Sequence, residues 1–256
     1  MQFHKYLAVF FLCACSFSPS AFSEDVKQEN SKAKSTPAIN ITADKPEDQD
    51  LGYIKTDGDP LEPVNRGIFA INDAIDKAIL SPVARTYKKV VPEWGREKIG
   101  NFVDNLKTPV TVVNSLLQGD VDNALTSFWR FFVNTTVGVG GLNDVGQEVG
   151  LKQREEDFGQ TAGHYGVGPG PFLMLPVIGP SSLRDTVGFA ADSASNPFNY
   201  VGGAAVAGKA ATEGVHERSE YLDLTDEIER TSFDPYSAYR SAYLQRRNDQ
   251  INNGEK

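Results

Sequence analysis

The chain has almost no cysteine and very little histidine. Its two cysteines, Cys13 and Cys15, lie at the N-terminal end of 256 residues, and its three histidines are His4, His164 and His216. After residue 15 the sequence therefore offers no disulfide, no thiolate metal site and no cysteine nucleophile. Two distant histidines make a poor zinc site, which usually needs three or four nitrogen or sulfur ligands. We predict no metal and no cofactor.

Excess positive charge is also missing. The formal net charge is -9, and no basic patch interrupts the acidic balance. Nucleic-acid binding is therefore not expected, because such proteins neutralise phosphates with clustered lysine and arginine. No segment after the leader has the run of about 20 apolar residues that a membrane-spanning helix needs.

The first residues have the pattern of a secretory signal, with Lys5 ahead of a short apolar run. Two processing sites compete. The sequence around Cys15 is similar to a lipobox, which would make residues 1–14 the signal and Cys15 a lipid anchor. Alternatively, cleavage after Ser23 would make residues 1–23 the signal. Both alternatives send the chain out of the cytoplasm.

Polar segments flank the remaining sequence. Residues 24–56 have mixed charge and few aromatics, so they cannot bury enough apolar surface to form a core, and we expect a flexible tether. A second polar tail is expected at residues 248–256. Residues 57–247 form the expected ordered domain.

Helical periodicity dominates this domain. Apolar residues recur at steps of three and four from Leu61 to Ile79, which predicts a helix capped by Asp59 with Pro60 at its first position. A second stripe runs from Ile99 to Leu117, with Pro109 starting or kinking its later half. Strand-like alternation is weak. The sequence therefore predicts a mainly α fold with glycine-rich connections, including residues 163–171.

Enzyme chemistry has little support. The chain lacks a G-x-S-x-G nucleophile motif, and the one hydrolase hypothesis uses His164 as a base. We interpret His216 as solvent-exposed and residues 155–157 as a solvated charged loop. Arg184–Asp185 is a candidate buried pair that orders the start of a helix.

Broad apolar helix faces are the strongest remaining feature. Residues 128–133 read Phe-Trp-Arg-Phe-Phe-Val, so this helix is aromatic around most of a turn. A helix that is apolar on several sides lies either in a protein core or in lipid. Phe128, Trp129 and Phe132 are therefore candidates for lipid contact, with core packing as the alternative.

Several motifs resemble the MlaA/VacJ family. Residues 59–72 read D-P-L-E-P-V-N-R-G-I-F-A-I-N and look like the family's opening motif. Further motifs follow in the family's order at residues 114–120, 128–138, 157–161, 165–171 and 175–185. The resemblance covers nearly all of residues 57–247.

The resemblance implies a function without catalysis. The family removes phospholipids from the outer leaflet of the outer membrane and passes them to a periplasmic phospholipid-binding carrier protein. An inner-membrane ABC transporter acts further along the pathway. The family fold is a ring of amphipathic helices at the inner leaflet of the outer membrane, associated with a trimeric outer-membrane porin. The expected location is therefore the periplasmic side of the outer membrane, lipid-anchored or embedded by helices.

The same resemblance suggests site residues. The channel or motif candidates are Asn65, Arg66, Phe69, Asn72, Tyr165, Gly166 and Gly168. A salt bridge between Arg66 and Glu62 is the alternative to a phosphate contact by Arg66. Two other functions stay open: a secreted lipid-modifying hydrolase that uses His164, and a porin-associated structural protein that moves no lipid.

Overall fold

The structure, a computed structural model, describes residues 59–252. This part is mainly helical, as predicted. Its helices are α1 Glu62–Ile75, α2 Ser81–Val90, α3 Glu93–Leu117, α4 Val121–Thr136, α5 Val145–Glu148, α6 Phe158–His164, α7 Leu183–Ser195, α8 Gly203–Thr231 and α9 Pro235–Ile251, and its strands are β1 Phe172–Leu175 and β2 Gly179–Ser182.

Helix α1 begins later than the sequence predicted. The prediction that Asp59 is the cap and Pro60 the first helical residue is wrong, because the helix starts at Glu62 and Leu61 occupies the cap position. The Asp59 carboxylate instead accepts the Leu61 amide at 3.0 Å, which holds the turn before the helix. A π-helical turn, Asp76–Leu80, joins α1 to α2.

Helix α3 runs through Pro109 and does not start there. It ends beside Gly119, whose φ of +79° favours glycine. The Asp120 side chain then accepts the Asn123 amide at 2.9 Å and caps α4.

The apolar run that begins at Phe172 forms an antiparallel hairpin, which the sequence did not predict. Phe172 pairs with Ser182 and Leu175 with Gly179. Four-residue strands are too short to show a clear alternation. Phe172 and Met174 pack with Tyr236 of α9, and this cluster is the main buried apolar core of the described residues.

Two long helices form the C-terminal part of the described residues. Helix α8 runs continuously from the glycine- and alanine-rich residues 203–211 into the more charged residues that follow. Helix α9 extends to Ile251, so the first four residues of the predicted tail are helical. Ion pairs attach α8 to the preceding helices, including Arg218 to Asp76 at 2.6 Å and Lys88 to Asp223 at 2.8 Å.

Polarity is inverted across much of the described chain. Apart from glycine, its buried residues are 10 hydrophobic and 19 polar or charged ones, whereas many of its large hydrophobics are exposed. Between α3 and α4, for example, Asn123 donates to the Ser115 hydroxyl at 2.7 Å in a buried contact. Water-soluble proteins have the opposite preference for their interiors. No helix within residues 59–252 combines the length and the hydropathy needed to cross a bilayer.

Candidate functional site

Two asparagines of α1 fasten the hairpin. Asn65 donates to the Phe172 carbonyl and accepts the Met174 amide, both at 2.9 Å. Two turns later, Asn72 donates to the Leu175 carbonyl at 2.9 Å and accepts the Val177 amide at 2.8 Å. Each side-chain amide thus supplies one donor and one acceptor to the hairpin backbone, as a neighbouring strand would. These two channel candidates therefore form hydrogen bonds with the backbone of the hairpin.

The other two candidates on α1 face α9. Arg66 pairs with Glu62 at 2.8 Å, as the spacing predicted, and with Asp234 at 2.6 Å. Its guanidinium also lies 4.4 Å from the centre of the Tyr236 ring. Phe69 packs against Tyr236 and Tyr239, with ring centres 5.8 and 5.7 Å apart. Both side chains therefore connect α1 to the C-terminal part of the chain.

An ionic cluster joins α6, α7 and α9. Arg247 binds Asp157 at 2.7 and 2.9 Å and Asp185 at 2.9 and 3.2 Å. Asp185 also accepts from Arg184 at 2.9 Å and from the Tyr243 hydroxyl. Burial opposes ionisation of Asp185, but these hydrogen bonds hold its pKa below the ordinary value. The predicted buried Arg184–Asp185 pair is confirmed.

The predicted solvated loop at residues 155–157 is wrong. Glu156 is buried and accepts from Gln118 at 2.9 Å. Asp157 caps α6 by accepting the Gln160 amide at 2.8 Å, in addition to binding Arg247. A charge run gives no local sign of such partners, because Arg247 lies 90 residues further along the chain.

Helices α6 and α7 approach closely at two glycines. A Cβ on Gly188 would lie 2.5 Å from the Gly159 nitrogen, and a Cβ on Gly159 would lie 2.4 Å from an Asp185 carboxylate oxygen. This contact brings the ionic cluster together. Nothing in the local sequence distinguishes these glycines from those of turns.

An apolar cavity of about 640 Å³ opens beside this cluster. Its walls come from α6, residues 165–170, α7 and the end of α3. Tyr165 and Gly168 line it, and Gly166 lies between them with a φ of +83°. The Tyr165 hydroxyl donates to the Leu117 carbonyl at 2.5 Å, which ties the glycine-rich segment to α3. Two of the predicted site residues, Tyr165 and Gly168, therefore line one cavity.

A second cluster of charged side chains lies on α3. Lys107 pairs with Glu213 at 2.9 Å and Glu217 at 2.6 Å of α8. One turn earlier, Asp104 is exposed to water, yet the surrounding protein removes enough of its hydration to raise its pKa to about 6, with repulsion from Glu155 adding to the effect. Asp104 and Lys107 thus form a charged surface on α3 that is partly desolvated yet open to water, which we call the charged wall.

The aromatic stripe of α4 faces outward. Phe128 and Phe132 are 47% and 46% exposed, and Trp129 packs edge-on between them. The buried face of α4 instead carries Asn123 and Asn134. The core-packing alternative therefore does not apply to Phe128 and Phe132, because their side chains are not buried inside the described domain.

The two histidines have different surroundings. His164 is exposed at the end of α6, and no serine or carboxylate within residues 59–252 is hydrogen-bonded to its ring. His216 was predicted to be solvent-exposed, and this prediction is wrong. It is half-buried, its ring is close to Gly100, and its Nδ1 lies 3.3 Å from the Tyr87 hydroxyl. Cys15 lies outside the described residues.

Comparisons with known proteins agree on one family. A model of the family described as "MlaA lipoprotein" matches residues 57–250. The chain is 41% identical over 201 residues to the "Intermembrane phospholipid transport system lipoprotein MlaA" of Escherichia coli K12, a match that covers 77% of this chain and 80% of the relative. The protein of the same name from Haemophilus influenzae is 31% identical over 212 residues, covering 80% and 84% of the two chains.

A solved structure is similar as well. It belongs to work described as "Structural basis for maintenance of bacterial outer membrane lipid asymmetry". The two chains are 41% identical, and the TM-score is 0.70. The match covers 77% of this chain and all of that one.

Proposed function

Because this chain belongs to the MlaA lipoprotein family, we propose that it removes mislocalised phospholipids from the outer leaflet of the outer membrane. The lipid then passes to a periplasmic phospholipid-binding carrier for retrograde transport, which maintains lipid asymmetry. The named relatives are components of intermembrane phospholipid transport. In this proposal the protein is a conduit and catalyses no reaction.

The inverted polarity is the observation that carries the proposal. Helix α7 shows it most clearly, because it buries Arg184 and Asp185 while Leu183, Val187 and Phe189 are about half exposed. Large exposed apolar surfaces mark sites of protein or membrane contact. Amphipathic helices of this kind lie in the plane of a membrane interface with their apolar faces in lipid. We therefore place α1, α4 and α7 against hydrocarbon, as part of a ring of helices in the inner leaflet.

The charged wall near Asp104 and Lys107 supplies the polar half of the path. A phospholipid that moves between leaflets must take its headgroup past groups that replace water, since burying an unpartnered charge is costly. Water-reachable carboxylates and a lysine meet that need. The trimeric porin, the carrier and, indirectly, the inner-membrane ABC transporter are the partners that this pathway requires.

A transfer experiment tests the proposal. Full-length protein is reconstituted into vesicles that contain a fluorescent phospholipid, and movement of that lipid to a soluble lipid-binding carrier is followed. We expect transfer well above that from protein-free vesicles. Asp104→Trp should slow it by blocking the charged wall, whereas Asp122→Trp, at the exposed first turn of α4, should not.

Two outcomes would favour the other functions. If the intact protein transfers no more lipid than empty vesicles do, the chain is a structural protein. Release of fatty acid or lysophospholipid that disappears in His164→Ala would instead identify a hydrolase. Transfer at wild-type rate by His164→Ala, with no released product, supports the conduit.

A further inference from the structure

The cavity beside α6 has polar side chains in its lining, but their hydrogen-bonding groups are already used. The Tyr165 hydroxyl donates to the Leu117 carbonyl at 2.5 Å. The Thr161 hydroxyl lies 2.9 Å from the Asn114 side-chain oxygen Oδ1 and accepts from Gln118 at 3.1 Å. The hydroxyl hydrogens of Tyr165 and Thr161 are thus used within the protein and are not available to orient a polar ligand.

The charge next to the cavity is balanced. Arg184 binds Asp185 through Nε and Nη2 at 2.9 and 3.2 Å, and its Nη1 donates to the Val167 carbonyl at 3.3 Å. Arg247 and Asp157 complete the cluster, so two arginines face two carboxylates. The cluster therefore offers no net charge to attract a phosphate or an ammonium group into the cavity.

The volume is suited to a single hydrocarbon chain. The cavity measures about 640 Å³. An apolar cavity of about 150 Å³ holds a six-carbon benzene ring, so this one has room for roughly 25 carbons, enough for one acyl chain but not for two.

The cavity is also continuous with the apolar exterior. Phe158, Leu183 and Val187 belong to its lining, and all three are exposed. Leu183 and Val187 lie one turn apart on the α7 face that we place against lipid. A chain could therefore enter from hydrocarbon without crossing a polar surface.

We propose that this cavity binds one acyl chain of a phospholipid, with the headgroup and the second chain outside. The inference rests on the proposed function and adds to it an intermediate binding position for the phospholipid during transfer.

Photolabelling tests this assignment. Full-length protein in vesicles receives phosphatidylethanolamine that carries a diazirine at the end of one chain, and cross-linked peptides are mapped by mass spectrometry. We expect labels within residues 158–170 and 183–187. Ala162→Phe, which places a ring in the cavity, should reduce this labelling about tenfold, since excluding two methylene groups from an apolar site costs about that factor. Ala207→Phe, on an exposed position of α8, is the matched control.

The outcomes separate the cavity from the function. Wild-type transfer with labels elsewhere, and equal behaviour of Ala162→Phe and Ala207→Phe, would overturn the cavity assignment and leave the conduit in place. Labelled cavity peptides without transfer would support the acyl site and overturn the conduit. If Cys15→Ala labels the cavity strongly while the wild-type chain does not, the occupant is the protein's own lipid anchor, and the phospholipid assignment is wrong. Because the wild-type map needs no variant, a misfolded Ala162→Phe does not decide the result.

Discussion

Replacing Asn65 by alanine should destabilise the protein far more than replacing Asn72. Asn65 is 2% exposed, and its amide is bonded to the Phe172 carbonyl and the Met174 amide within the main apolar cluster. In Asn65→Ala these two backbone groups lose their partners where water does not replace them. At about 1–3 kcal/mol for each of the two unsatisfied groups, the expected loss of unfolding free energy is about 2–6 kcal/mol.

The matched variant Asn72→Ala removes the same side chain from the same face of α1. Its partners, the Leu175 carbonyl and the Val177 amide, lie at the turn of the hairpin, and Val177 is exposed. Water can replace the lost bonds there, so we expect a loss of about 1 kcal/mol.

Unfolding of both variants in detergent, followed by circular dichroism against urea or heat, measures the difference. Equal losses would refute the reasoning, because they would show that burial of the hairpin backbone does not set the cost. Asn65→Asp gives a further check. It keeps an acceptor for Met174 but turns the donor into an oxygen facing the Phe172 carbonyl and the Asp59 carboxylate, so it should be at least as damaging as alanine at neutral pH.

Other predictions follow from single contacts. Gly188→Ala should disrupt the contact of α6 with α7, since its Cβ would lie 2.5 Å from the Gly159 backbone nitrogen. Gly67→Ala, whose Cβ would have no atom within 4 Å, should instead stabilise α1 by about 0.5–1 kcal/mol in thermal unfolding. Arg247→Ala should cost about 3–5 kcal/mol because it removes the arginine partner of Asp157 and one of the two arginine partners of Asp185. Arg246→Ala, on the exposed side, should cost little in the same measurement. The carboxylates of this cluster have pKa values below 3.8, so their contribution to stability is present above that pH and should disappear as acid titrates them. Asp104 behaves oppositely, because its pKa is about 6 in the folded protein and 3.8 in the unfolded chain, so stability falls as pH rises through this range. Asp104→Asn should therefore stabilise the protein at pH 7 by about 1 kcal/mol after solvent screening, and this effect should be absent at pH 3.

Sequence periodicity predicted the helices because their apolar residues recur at helical spacing whatever the helix packs against. The caps at Asp120 and Ser182 were also predictable, since each bonds an amide three residues away. The pairing of Arg66 with Glu62 is local in the same sense. The hairpin was missed because its strands are too short for a period to appear, and its stability depends on asparagines more than 100 residues earlier.

The sequence alone therefore determined the helical class, some of the local caps and, through the resemblance of its motifs, the family. Only the tertiary structure decided which face of each helix is inside. The same stripe on α4 would be a core in one protein and an exterior in another, because periodicity records that a face is apolar and not what covers it. In this protein, contacts between distant segments, such as Arg247 with Asp157 and Gly188 with Gly159, decide which helix faces are covered. They turn the polar faces inward and leave Phe128 and Phe132 outside.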